Sequence, residues 1–140
     1  MPTVELVHLL ATTFMAGLIV FVQVVHYPLF ARVDSRDFVA YEREHTVRTG
    51  WVVVPVMLVE LATAVWIVFG ATGAEEMTVA WAALGILVLI WLSTFALQAP
   101  AHRRLLAGFD DGIQRRLVGT NWIRTVGWMA RVPLAVLLVG

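Results

Sequence analysis

The chain has 140 residues, 60% of them apolar and 14% charged, with ten acidic and ten basic side chains and no net charge. A soluble domain carries about a quarter charged residues, so this composition excludes a water-soluble globular fold. The absence of cysteine excludes disulfides, thiolate metal sites and thiol redox chemistry, and the balanced charge leaves no footprint for nucleic acid.

In chain order, the first apolar block, Leu6 to Ala31, contains no Asp, Glu, Lys or Arg. It is too long for a signal peptide and lacks a basic start, so it reads as a retained helix. A connector carrying Arg32, Arg36, Arg43 and Arg48 follows, in which Asp34 and Ser35 are suited to cap a helix beginning near Arg36. Thr49 to Ala74 contains only Glu60, the short turn to Glu76 has no basic residue, and Met77 to Ala101 is again uncharged. Residues 102–124 carry Arg103, Arg104, Arg115, Arg116 and Arg124, with Asp110 and Asp111 as helix caps, and Thr125 to Gly140 holds only Arg131. About 20 apolar residues cross a bilayer as a helix. The pattern predicts an all-α integral membrane four-helix up-down bundle, a single domain over 1–140 with spans at about 5–30, 47–70, 77–100 and 119–139. Proline falls at the ends of spans one and three (Pro28, Pro100) and inside spans two and four (Pro55, Pro133). Nine arginines in two connectors against none in the third predict a multi-pass protein of the inner (plasma) membrane, with basic loops in the cytoplasm and both termini outside.

Val47-Arg48-Thr49-Gly50-Trp51 parallels Ile123-Arg124-Thr125-Val126-Gly127-Trp128, and each copy follows a glutamine, Gln23 or Gln98. Two repeated helical hairpins of like orientation give such a pattern; chance at helix entries gives it too.

Polar side chains inside a bilayer usually face a bundle interior or a cavity. Here they recur at steps of three and four: His8, Thr12, Gln23 and His26; His45, Arg48 and Glu60; Trp91, Thr94, Gln98 and His102; Asn121, Arg124, Trp128 and Arg131. The topology gathers many of them at the end bearing the basic loops. This predicts one cavity lined by His26, Arg48, Gln98, Asn121 and Arg124, with Gln23 and Glu60 deeper and His102 and Trp128 completing the substrate contacts. His26 and Glu60 are the candidate proton acceptors. Glu60 and Arg131 fall at equal depth, which also predicts a structural ion pair between them. Each residue has a plainer role available: snorkelling for the arginines, interhelical hydrogen bonds for the amides. No two histidines share local metal-ligand spacing, so neither metal nor cofactor is expected.

Gln98-Ala99-Pro100-Ala101-His102 and Leu117-Val118-Gly119-Thr120-Asn121-Trp122-Ile123-Arg124-Thr125 resemble small four-span bacterial proteins of unassigned function that look distantly like the anthrone-oxygenase-like family. The matching positions are Pro100, Asn121, Trp122 and Arg124. The resemblance implies cofactor-free oxygenation or proton transfer on a phenolic, polyketide-like substrate. The expected partners are the lipid bilayer and a lipophilic small molecule, with a homo-oligomer compatible. The alternative is a non-catalytic lipid- or small-molecule-binding protein or a small carrier.

Overall fold

In the computed structural model, which describes residues 2–140, the chain is an all-α bundle of four helices, each long and apolar enough to cross a membrane. They are α1 (Thr3–Arg32), α2 (Phe38–Gly70), α3 (Ala74–Leu105) and α4 (Asp111–Val139). Helix α4 packs against both α1 and α3, α1 against α2, and α2 more sparsely against α3. The apolar side chains on the outer face, Trp51, Trp66, Phe69 and Leu137 among them, are exposed, as suits a surface solvated by lipid.

The helices extend past the expected ends at Pro28 and Pro100. Proline has no N–H for the turn before it, and the chain absorbs this by widening. Val22–His26 and Thr94–Gln98 are π turns, closed by the Tyr27 N–H on the Val22 carbonyl and the Ala99 N–H on the Thr94 carbonyl. Each π turn is followed by a proline at its second position onward, so the helix continues with its later side chains rotated. At the start of α4, Asp110 Oδ1 accepts from the Ile113 N–H at 2.8 Å, the expected cap. Asp34 instead accepts from the Arg36 N–H at 2.9 Å within the connector, and α2 starts after Asp37, which makes no side-chain cap bond. Pro55 and Pro133 lie within continuous helices.

Small residues set the spacing of α3 and α4. A Cβ on Gly127 would stand 2.9 Å from Ile90 Cγ1, inside van der Waals contact, whereas one on Gly119 meets nothing within 4 Å. Gly127→Ala is therefore expected to cost about 1–3 kcal/mol by overpacking. Gly119→Ala is expected to be neutral or slightly stabilising through helix propensity. Thermal unfolding in detergent, followed by helical circular dichroism, compares the two; equal midpoints would contradict the close approach.

Candidate functional site

Polar side chains form two buried layers and a plug between them. At the end bearing the termini, Glu60 and Arg131 are fully buried and joined as an ion pair. Thr12 Oγ1 donates to Glu60 Oε1 at 2.9 Å, and Trp128 Nε1 donates to Oε2 at 3.0 Å. Arg131 also donates from Nε to the Ala83 carbonyl at 3.0 Å, and its Nη2 lies 3.2 Å from His8 Nε2. An arginine only donates, so His8 Nε2 accepts and its Nδ1 proton points to Thr63 Oγ1 at 2.8 Å. Glu60 is thus saturated with partners and lines none of the cavities described below. The expected ion pair with Arg131 is present, while the carboxylate stands apart from the cavities where a substrate proton was expected to reach it. Trp128 is likewise buried against Glu60, with the Arg124 guanidinium 5.4 Å over its ring, and lines neither of the cavities described below.

Further along the bundle, Gln23 Nε2 donates to the Val118 carbonyl at 2.9 Å, while its Oε1 accepts from Asn121 Nδ2 at 3.0 Å and Thr125 Oγ1 at 3.1 Å. Both amides are buried in this α1–α4 plug. They tie α1 to α4 and line neither of the cavities described below.

The second layer lies at the end bearing the basic loops. Helix α1 supplies His26, the last residue of its π turn, and Tyr27 directly after it, α2 supplies Glu42 and His45, α3 supplies His102, and α4 supplies Arg124. His102 Nδ1 is 2.5 Å from Glu42 Oε1, and His102 Nε2 is 2.9 Å from the Tyr27 hydroxyl. A carboxylate accepts, so Nδ1 carries the proton, Nε2 is the acceptor, and the Tyr27 O–H donates to it. Arg124 lines the same cavity as Tyr27, and its positive charge acts on the phenol oxygen. Glu42 is 0% exposed, and its second oxygen has no hydrogen-bond partner. Arg124 is 6% exposed; its Nη1 donates to Asn121 Oδ1 at 3.3 Å, and its Nε is also without a partner. His26 Nε2 and His45 Nδ1 are 2.8 Å apart, with Thr49 Oγ1 3.1 Å from the latter. Phe30 packs edge-on against His26 and His45, with ring centroids 5.3 and 5.0 Å apart, and covers the cluster from the loop side.

The single expected cup is two cavities on either side of α2. One, of about 370 Å³, opens between α2 and α3 and is lined by Tyr27, His45, Gln98, His102 and Arg124 with apolar Val53, Val54 and Leu106. The other, of about 280 Å³, lies between α1 and α2 and is lined by His26 and Arg48 with Phe21, Val22 and Val52. Gln98, held by Ser93 Oγ at 2.9 Å and by Thr120 Oγ1 at 3.2 Å, stays a wall residue. Arg48 does not join the centre. It is exposed and paired with Glu44 at 2.6 Å, because it sits one residue, about 100° of helix rotation, before Thr49, which faces His45.

The sequence reading passed over Glu42 and Tyr27. Glu42-Arg43-Glu44-His45 is a Glu-x-x-His step, which puts both side chains on one helix face and is a known ligand spacing in helix bundles. Tyr27 was hidden because adjacent residues of an α-helix do not face the same way. Comparison with known proteins gives no match to a family model, a curated protein or a solved structure.

Proposed function

We propose that this chain is a membrane enzyme that moves a proton on a lipophilic substrate carrying an acidic C–H or O–H, with Tyr27, His102 and Glu42 as the relay and Arg124 as the anion holder. One observation carries the reading: a phenol, an imidazole and a carboxylate stand in hydrogen-bonded sequence at the wall of a largely apolar cavity. The order acceptor, imidazole and orienting carboxylate is the arrangement by which hydrolytic triads raise the basicity of a hydroxyl.

The substrate enters sideways between α2 and α3, its hydrocarbon against Val53, Val54 and Leu106. Tyr27 oxygen takes the substrate proton as its own passes to His102 Nε2. Glu42 stabilises the imidazolium that results. The electron pair left on the substrate, as an enolate or phenolate, is balanced by the charge of Arg124, which lines the same cavity. Beside a largely apolar cavity wall such a fixed charge is worth far more than in solution. Return of the proton to another atom completes an isomerisation or exchange. His26 supports His45 from the neighbouring cavity rather than touching this substrate. Buried Met15, Ile19 and Met57 lie among the apolar core. The Gln23, Asn121 and Thr125 side chains between the two polar layers are engaged with one another, which favours a closed site over an open carrier path.

The test is hydrogen–deuterium exchange at the acidic methylene of anthrone, followed by NMR with the purified chain in nanodiscs. Exchange above the protein-free rate that Tyr27→Phe removes is the expected result. Wild-type exchange no faster than buffer, or unchanged by Tyr27→Phe, would overturn the reading.

The arginine-bearing connectors are taken as cytoplasmic, with both termini outside the plasma membrane. Cysteines placed at the exposed positions Gly73 and Gly112 are expected to label from opposite faces in intact cells, Gly73 from outside. Labelling of Gly112 from outside would invert the orientation and put the catalytic layer in the outer leaflet.

A further inference from the structure

We infer that Glu42, His45 and His102 form a binding site for one first-row divalent transition metal of the zinc and ferrous type. This goes beyond the acid–base reading and does not depend on it, because metal binding is measured with no substrate present.

One potential ligand atom from each of the three residues lies within 4.8 Å of the other two. Glu42 and His45 are three residues apart on α2 and so share a face, and His102 meets them from α3. Tetrahedral ligands about 2.1 Å from a zinc ion stand about 3.4 Å apart, so side-chain rotations of roughly an ångström close the set. A second and independent observation is the state of the carboxylate. Glu42 is completely buried, one of its oxygens has no partner, and His102 is the basic group paired with it. A carboxylate out of water needs a positive partner and filled lone pairs. A dication coordinated by this group supplies the charge and occupies the free oxygen.

The surroundings match what ligating imidazoles require. Such a histidine uses one nitrogen for the metal and gives the other a hydrogen-bond partner that fixes its ring. His45 has His26 and Thr49 at Nδ1, leaving Nε2 for the ion. His102 has the Tyr27 hydroxyl at Nε2, leaving Nδ1, where it now shares a proton with Glu42. The proton on that short contact stands where the cation would bind. With metal on Nδ1, Nε2 carries hydrogen and donates to the Tyr27 oxygen, so the contact survives with its direction reversed, and the proton relay through Nε2 belongs to the metal-free chain.

The donor set also decides the class of ion. Two imidazoles and one carboxylate suit zinc, ferrous iron or cobalt, whereas magnesium and calcium take oxygen ligands. Three protein ligands leave a coordination position open, the pattern of reactive rather than purely structural centres. His45 and His102 both line the 370 Å³ cavity, so the ion would be reached from the side where a lipophilic molecule enters.

The experiment uses the full chain, freed of any histidine tag, stripped with chelator and exchanged into nanodiscs. It is equilibrated separately with zinc, with ferrous iron under anaerobic conditions and with magnesium, then analysed by elemental mass spectrometry. Retention of about one zinc or iron per chain is expected, with no magnesium. Glu42→Gln and His102→Gln should each weaken binding at least about 100-fold, as loss of a ligand exceeds loss of an outer-shell partner. Glu44→Gln, on the exposed side of the same helix, should bind as wild type. Failure of the wild type to retain either ion, or equal retention by Glu42→Gln and His102→Gln, would overturn the assignment. Where those variants fail to fold, X-ray absorption of the cobalt-loaded wild type decides. Two imidazoles in the first shell support the site, and an all-oxygen shell rejects it. Anthrone exchange measured with and without chelator reports on the relay separately.

Discussion

Arg131→Gln is expected to lower stability by about 3–5 kcal/mol, the usual cost of removing one partner of a buried ion pair. The reason is the carboxylate left behind. Glu60 retains Thr12 and Trp128 as donors, but two neutral hydrogen bonds do not replace the charge of Arg131 in a medium without water. The Ala83 carbonyl and His8 Nε2 lose their donors at the same stroke. Glu60→Gln combined with Arg131→Gln removes both charges, so the double variant should unfold at a higher temperature and accumulate to higher yield than Arg131→Gln alone. Yield and detergent unfolding of the three proteins measure this. A double variant no better than the single one would mean that the pair's charges are not what the layer needs.

Tyr27→Phe is expected to reduce the rate of proton exchange by about 10²–10⁴-fold, the range contributed by a placed acid or base. The change deletes one oxygen and keeps the ring, which packs edge-on against Phe30 and His102 at centroid distances of 5.4 Å each. The helical spectrum and gel-filtration profile should therefore be unchanged. His102→Gln should cause a loss of similar size, because the phenol then has no acceptor for its proton. His26→Ala is expected to cost much less, since His26 reaches the centre only through His45. A His26→Ala variant as inactive as Tyr27→Phe would move the catalytic role to the α1–α2 cavity.

The sequence makes the bundle legible because lipid imposes a simple rule: uncharged runs of helix length separated by charged turns. Glu60 and Arg131 could be matched as well, since two lone charges at equal depth have few other ways to be satisfied. The reactive layer was harder to read. His26, His102 and Arg124 follow from helical stripes, but a stripe assumes a constant 3.6-residue turn. The π turns at Val22–His26 and Thr94–Gln98 break that assumption just before the residues that matter. Tyr27 directly follows one of them and falls outside the stripe of its helix, whereas Arg48 stands on the unbroken helix α2, one residue from Thr49, which faces His45. Glu42 lay in an arginine-rich connector that composition assigns to water, although α2 begins at Phe38 and draws it inside the bundle. Gln23 and Asn121 were rightly placed in the interior, but sequence alone does not separate an amide that binds a ligand from one that binds another helix.

The two π turns give α1 and α3 a surplus residue each, at corresponding heights and on opposite sides of the cluster. Removing that residue would leave the parts on either side of the turn at nearly their present angles, whereas closing the turn as α-helix with the residue kept would rotate everything beyond it by about 100°. Tyr27 or His102 would then swing out of the relay while the lipid-facing segment before the turn kept its contacts. The surplus residue therefore works as a phase adjuster. It sets the angle of the reactive side chains independently of the angle at which each helix meets the membrane, and it lets the two parts of one helix vary in sequence under separate constraints.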